Sequence, residues 1–405
     1  MMNRRTGMSC VSAFMLAPLL SRAQSRPVIR IGIIGDQSGP FTYLGGALTV
    51  ACARQAIDDV AGSRGLNVEI VTADHQNKPD IGAAITRQWL DEGVDALLDF
   101  GNSAIALAVN NLVRERDKVM LASSVGSATV SGKECTPNMT HWAFDTAMLA
   151  RSMGSGMVEQ AGDTWFFIRA DYVFGRVLRD DTAAVVLSKG GKVIGDVAVP
   201  IGTTDFASAL LQAQASGAKV VALALAGNDL LNCLKQVGEF GLGKGGQRVA
   251  SLIIFVQDIK ALGLPAAKGI VLAESFYWDL NDRTRAFAGR VMPKTKGIPP
   301  NMGQAGAYSA VTHYLKAVAE LGAAEAKRSG RAVVARMKQL PINDDVLTNA
   351  RIREDGRVVS DVYLFEVKSP EESKGEWDLY KVKRKLSPDQ AWRPMSEGGC
   401  PLVKT

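Results

Sequence analysis

Val28-Ile29-Arg30-Ile31-Gly32-Ile33-Ile34-Gly35, running on into Asp36-Gln37-Ser38-Gly39-Pro40, is the stretch on which the fold turns. Its isoleucines occupy both parities of the run, the pattern of a strand covered on two faces. A polar turn stops it. Leu44–Val60 then repeats apolar residues at helical spacing, with Leu48, Cys52, Ala56 and Val60 on one line and Ala53 and Ile57 beside it. A doubly covered strand followed by an amphipathic helix is the repeating unit of a parallel sheet wrapped by helices.

Read outward, the unit recurs. Strands Asn67–Ala73, Val94–Gly101 and Val119–Ser124 alternate with helices Asp80–Glu92 and Ala104–Arg116. The pattern restarts at Thr164–Ala170, with strands Lys192–Val199, Lys219–Ala226, Ser251–Val256 and Gly269–Ala273. Helices Phe174–Lys189, Asp205–Ser216 and Asp229–Phe240 lie between them. Helices Asp282–Met292, Gln304–Leu321 and one near Ala332–Gln339 follow, then a hairpin of Gly356–Val367 and Glu376–Lys383. The expectation is an α/β protein of two open lobes, with late elements that make the chain cross between them more than once.

Upstream, Met1–Ala23 reads as a removable export leader. Arg4 and Arg5 precede an apolar stretch, Met8–Leu20, too short to span a bilayer, and Ser21-Arg22-Ala23 supplies small residues for cleavage. The mature chain is then expected to begin near Gln24 and to work in the periplasm. The 405 residues, 47% hydrophobic, suffice for two cores. The leader holds three of the 47 basic residues and no acid, so 44 basic residues remain against 41 acidic ones. That balance excludes a nucleic-acid binder. The basic run Lys381–Lys385 follows a strand and reads as a solvated edge. Cys10 leaves with the leader. Cys52 and Cys233 lie in helical patterns as buried thiols, whereas Cys135 and Cys400 lie in polar loops and are the disulfide candidates.

No catalytic constellation emerges. Gly241-Leu242-Gly243-Lys244-Gly245-Gly246 has dinucleotide spacing but follows a helix and precedes a strand, the reverse of the order that chemistry needs. No serine sits in a nucleophile elbow, and His75, His141 and His313 lack metal-ligand spacing. Neither an enzyme, a metal nor a cofactor is expected. Parallel sheets bind ligands beyond the carboxyl ends of their strands. Those ends carry Ser38–Gly45, Gly101–Ser103, Ser123–Ser127, Asp171–Phe174, Gly227–Asp229 and Val256–Asp258.

The chain resembles the periplasmic substrate-binding proteins of the branched-chain amino-acid type, soluble receptors of ABC importers. The resemblance rests on Ile31–Pro40, Ser127–Lys133, Asp171-Tyr172-Val173-Phe174-Gly175, Ala226-Gly227-Asn228-Asp229 and Lys235–Gly241. Phe276-Tyr277-Trp278-Asp279 and Gln304–Ser309 point to a subgroup linked to aromatic carboxylates as well as aliphatic amino acids. It implies two doubly wound lobes joined by three hinge crossovers, the type I periplasmic binding protein fold. Residues 28–145 and 279–350 then form lobe 1, 146–278 and 351–385 lobe 2, and 386–405 a tail. It also implies a membrane permease as partner and a small amino acid or aromatic or aliphatic carboxylate as ligand. Ser103 and the loop Ser124, Gly126 and Ser127 match carboxylate-holding positions, Tyr43 caps the cleft, and Tyr172, Asn228 and Asp229 face it from lobe 2. Gln257 or Asp258 lies near the place where relatives set an acid against an ammonium group, and Phe276 and Tyr277 would line the apolar end. Helix capping is the rival role for Ser103 and Ser124, packing for Tyr172, and interlobe core for Phe276 and Tyr277. The loop Ser123–Ser127 departs from the best-known amino-acid binders, and Gln76 and Asn102 stand where those carry a disulfide. A sensory module reporting to a receptor is the competing function.

Overall fold

The computed structural model describes residues 27–161, 164–242 and 246–404; the leader Met1–Ala23 and the middle of the loop Gly241–Gly246 lie outside them. β1 (Val28–Gly35) is central to the first lobe, and Ile29, Ile31, Ile33 and Ile34 are all fully buried. Around it lie α1 (Gly46–Val60), β2 (Asn67–Asp74), α2 (Pro79–Asp91), β3 (Ala96–Asp99), α3 (Ser103–Glu115), β4 (Val119–Ala122) and β5 (Met139–His141). The strands are parallel in the order β2-β1-β3-β4-β5, with Ile31 beside both Ile70 and Ala96. The order reverses at β1 and β3, so the loops after these two strands diverge and leave a crevice.

After α4 (Thr146–Ala161), the second lobe repeats the plan with β6 (Thr164–Ala170), α5 (Val173–Ser188), β7 (Lys192–Val199), α6 (Ala207–Ala215), β8 (Val220–Ala224), α7 (Gly227–Glu239) and β9 (Arg248–Ser251). Its parallel order is β7-β6-β8-β9. α8 (Val256–Leu262), α9 (Leu264–Ala267) and β10 (Val271–Glu274) complete this pass. The strand expected over Ser251–Val256 ends at Ser251. Asp258 accepts the Phe255 N–H at 2.8 Å and starts a helix where apolar content alone reads as strand. The pattern also missed α4, whose Ser152 and Gly154 dilute its apolar periodicity.

The chain returns to lobe 1 with α10 (Asp282–Val291), α11 (Met302–Leu321), α12 (Ala323–Arg328) and α13 (Gly330–Gln339). The Tyr308 hydroxyl of α11 donates to Asp59 of α1 at 2.9 Å. β11 (Arg351–Ile352) and β12 (Val358–Val359) pair with each other, and a bridge between His141 and Arg357 ties them to the edge of lobe 1. The third crossing therefore follows Val359, later than residue 351. Arg357 fixes it there, donating to the Phe144 carbonyl at 3.0 Å and lying 3.5 Å from Asp145 at the first crossing. β13 (Val362–Val367) then pairs antiparallel with β10 and with β14 (Tyr380–Leu386).

α14 (Pro388–Ala391) opens the tail. Trp392 donates to the Ser360 carbonyl at 2.7 Å, and Cys400 is joined to Cys135 by a disulfide with a Cα separation of 5.6 Å. Cys52 and Cys233 are buried free thiols. Among the described residues no helix is long and apolar enough to cross a membrane, and no cluster of His, Cys, Asp and Glu has the arrangement of a metal site.

Candidate ligand site in the interlobe cleft

The lobe 1 wall begins with the turn after β1. Asp36 accepts from the Gly39 and Phe41 N–H groups at 2.6 and 2.8 Å and from the Asn77 amide at 2.6 Å. The Tyr43 carbonyl accepts from Gln304 at 2.6 Å, which fixes the far end of the same loop. Ser103 accepts the Ser127 N–H at 3.1 Å, Ser127 bonds Thr129 at 2.8 Å, and Ser124 donates to the Leu44 carbonyl at 3.4 Å. These serines bind one loop to the next. The cap of α3 is Asn102, which accepts from the Ala104 N–H at 2.9 Å. Ser123, fully buried beside them, has a hydroxyl with no partner.

Asp99 lies beneath this loop and escaped the sequence reading; its only signal is an acid closing the apolar strand Ala96-Leu97-Leu98. It is fully buried, and its carboxyl oxygens face the Ser124 and Thr49 hydroxyls without reaching hydrogen-bond geometry. Burial, reinforced by the charge of Asp36, pushes its pKa up to about 7. A Cβ on Gly35 or Gly45 would stand 2.7 or 2.6 Å from its carboxyl oxygen, so glycine makes the room.

From lobe 2, the Tyr172 ring lies 6.2 Å from Phe41 and 6.0 Å from Phe174. The Asn228 N–H reaches the Pro40 carbonyl at 3.3 Å. Asp229 takes the Gly202 N–H on both oxygens at 3.1 Å, and burial lifts its pKa to about 6. Asp258 differs. One oxygen caps α8, the other has no partner, and burial raises the group to about 7. The Tyr43 hydroxyl turns toward this carboxyl without reaching hydrogen-bond geometry, and burial and the Asp258 charge hold its pKa well above the usual phenol range. Glu274 accepts from Tyr380 at 3.4 Å; burial, with Asp258 adding, holds it well above the carboxylate range. Among the described residues no basic side chain pairs with Asp258 or Glu274.

Phe276 and Tyr277 sit in packing. Phe276 meets the Phe287 ring at 5.9 Å; Tyr277 stacks on Tyr380 at 4.8 Å and donates to the Trp377 carbonyl at 2.9 Å. Gly126 gives its space to Phe174, whose ring would stand 2.5 Å from a Cβ there.

Two helix-flanked lobes, crossed three times with these polar groups at their meeting faces, agree with the family comparison: a model for periplasmic binding proteins matches residues 28–376. The chain belongs to the periplasmic binding protein family. Like its relatives, it is a solute-binding protein and not an enzyme. A crystal structure of a periplasmic binding protein from Burkholderia mallei is 41% identical, with a TM-score of 0.88 over 93% of this chain and 99% of that one. A branched-chain amino acid ABC transporter periplasmic ligand-binding protein from Burkholderia xenovorans LB400 is 36% identical, with a TM-score of 0.80 over 92% and 99%. A solute-binding protein of an ABC transporter from R. palustris, solved with benzoate, shares the fold at 20% identity and a TM-score of 0.81 over 93% and 100%.

This periplasmic binding protein is seen with its lobes in contact. Besides Pro40 with Asn228, Gln257 of lobe 2 donates to the Pro299 carbonyl at 2.9 Å and accepts from Asn301 at 3.2 Å. Phe144 and Phe255 meet edge to face at 5.8 Å near the first crossing. Closure thus brings Tyr43 of one lobe against Asp258 of the other.

Proposed function

We propose that the protein is the extracytoplasmic solute receptor of an ABC importer, trapping a small amino acid with an apolar side chain between its lobes. One observation carries the choice of ligand: the inner Asp258 oxygen and the Tyr43 hydroxyl face each other in a buried space without reaching hydrogen-bond geometry, and among the described residues Asp258 makes no ion pair. A buried carboxyl without a counter-charge is unfavourable, and a ligand ammonium supplies that charge. The ligand carboxylate goes to the loop Ser123–Ser127 and the N-terminus of α3, where the free Ser123 hydroxyl and the helix end favour an anion. Tyr172, Phe41 and Phe174 offer an apolar flank. Contacts from both lobes exist only in the shut form, so the ligand stabilises closure and the closed form is the one handed to a permease. The export leader expected at Met1–Ala23 and the family both support a periplasmic setting for this cycle.

The test is a thermal-shift comparison on mature, ligand-stripped protein with leucine, phenylalanine and benzoate. Ligand that binds only the native state raises the melting temperature. Stabilisation by leucine or phenylalanine, lost in Asp258→Asn, is the expected result. Stabilisation by benzoate alone would transfer the site to the aromatic-acid class, and silence from all three would sink the importer reading in favour of a sensory role.

A further inference from the structure

β9 and β10 are successive strands of lobe 2, yet they share no ladder: β9 pairs with β8 and β10 with β13. Their other edges face a cavity of about 990 Å³. That volume is at the upper end of small-molecule sites, roughly 300–1,000 Å³. Its walls are apolar, with Val237 of α7, Val249 of β9 and Ile270 before β10. Its exposed mouth is predominantly cationic. Lys235 and Arg248 make no ion pair among the described residues, while Glu366 is already paired to Lys381 and Lys383 at 2.9 Å each. Glu239 is the opposing acid there. In the depth, Ser152 is 1% exposed and its hydroxyl has no partner. A lone buried hydroxyl beside empty space is a polar group awaiting a ligand atom.

We infer that this cavity is a second binding site, distinct from the cleft, for an anionic amphiphile. Its carboxylate is held at the mouth by Lys235 and Arg248, its apolar body lies along Val237, Val249 and Ile270, and a distal hydroxyl or carbonyl meets Ser152. Both strands lead into the cleft, β9 through Phe255 to Asp258 and β10 to Glu274, so an occupant also braces the floor on which the lobes close.

The experiment is calorimetric titration of the full mature chain with 12-hydroxydodecanoate and with dodecanoate. Wild type is expected to bind the hydroxylated acid more tightly, and Ser152→Ala to erase that preference. Filling the cavity with Val237→Trp and reversing the mouth charge with Arg248→Glu should each weaken binding about tenfold or more. Circular dichroism checks the tryptophan variant; if it does not fold, the surface variant Arg248→Glu decides alone. No binding by wild type, or binding unchanged in Arg248→Glu, overturns the proposal.

Discussion

Asp99 and Asp258 show how burial sets a charge state that composition cannot reveal. Each moves from an ordinary value of 3.8 to about 7 because its carboxylate is desolvated. A carboxyl raised on folding contributes stability that is full below its unfolded value and is lost as pH rises through its folded one. The window therefore runs from about pH 4 to past pH 7. Asp258→Asn should match wild type near pH 4 and exceed it by about 1–3 kcal/mol at pH 8 in the absence of ligand, as read by urea unfolding. An identical pH dependence in the two proteins would show that Asp258 is not the titrating group. A ligand ammonium reverses the effect by favouring the charged carboxylate. Affinity for leucine or phenylalanine should rise between pH 5 and 8, and calorimetry in buffers of different ionisation enthalpy should register the released proton. Asp258 was legible as a polar residue at a strand end. Asp99 was not, and Ser123 was legible only as one residue of the loop Ser123–Ser127, because the free atoms that matter at both are a property of packing.

The turn at Gly227 carries closure at the scale of the element. Its φ is +69°, and a Cβ there would stand 2.6 Å from the Pro40 carbonyl of the opposite lobe. The backbone strain of Gly227→Ala acts in open and closed forms alike, about 1 kcal/mol. The clash acts only when the lobes meet. Gly227→Ala should therefore lose about tenfold or more in affinity for the amino-acid ligand while melting only slightly earlier, with a larger radius of gyration in small-angle scattering. Affinity equal to wild type would mean that the cleft closes along another path. Gly227 was read as a ligand-loop residue from its position after a strand. That its missing side chain faces Pro40 needed the second lobe in place. The boundary between β9 and α8 has a similar origin, since one side-chain cap decides it and Leu252–Phe255 is apolar enough for either state.

For the whole molecule, the tail acts as a clasp. Cys135 and Cys400 are 265 positions apart, and Trp392 and Arg393 reach the Ser360 and Ala128 carbonyls at 2.7 and 3.1 Å. The Arg357 guanidinium lies 4.2 Å from the centre of the Trp392 ring, tying the tail to the residue that secures the third crossing. Replacing both cysteines by serine should destabilise the protein by about 2–4 kcal/mol, with the same loss in wild type under reducing conditions. An unchanged melting temperature would show that tail packing alone holds the end in place.

The sequence by itself determined the alternation of strands and helices, the doubling into lobes, the loop ends that face the cleft and the two cysteines suited to pairing. These are local properties, written in periods of two and 3.6 residues and in the polarity of flanking turns. Only the tertiary structure decided which groups in those loops are engaged and which stand free. Tyr43 is held by Gln304, 261 positions away, and Ser103 by Ser127 from another loop. Asp258 meets the Tyr43 hydroxyl across the cleft without a hydrogen bond, and Ser123 keeps a free hydroxyl, once the lobes pack. Hydrogen bonding between distant segments has no period along the chain, so the chemistry of the cleft became readable only once both lobes were folded around it.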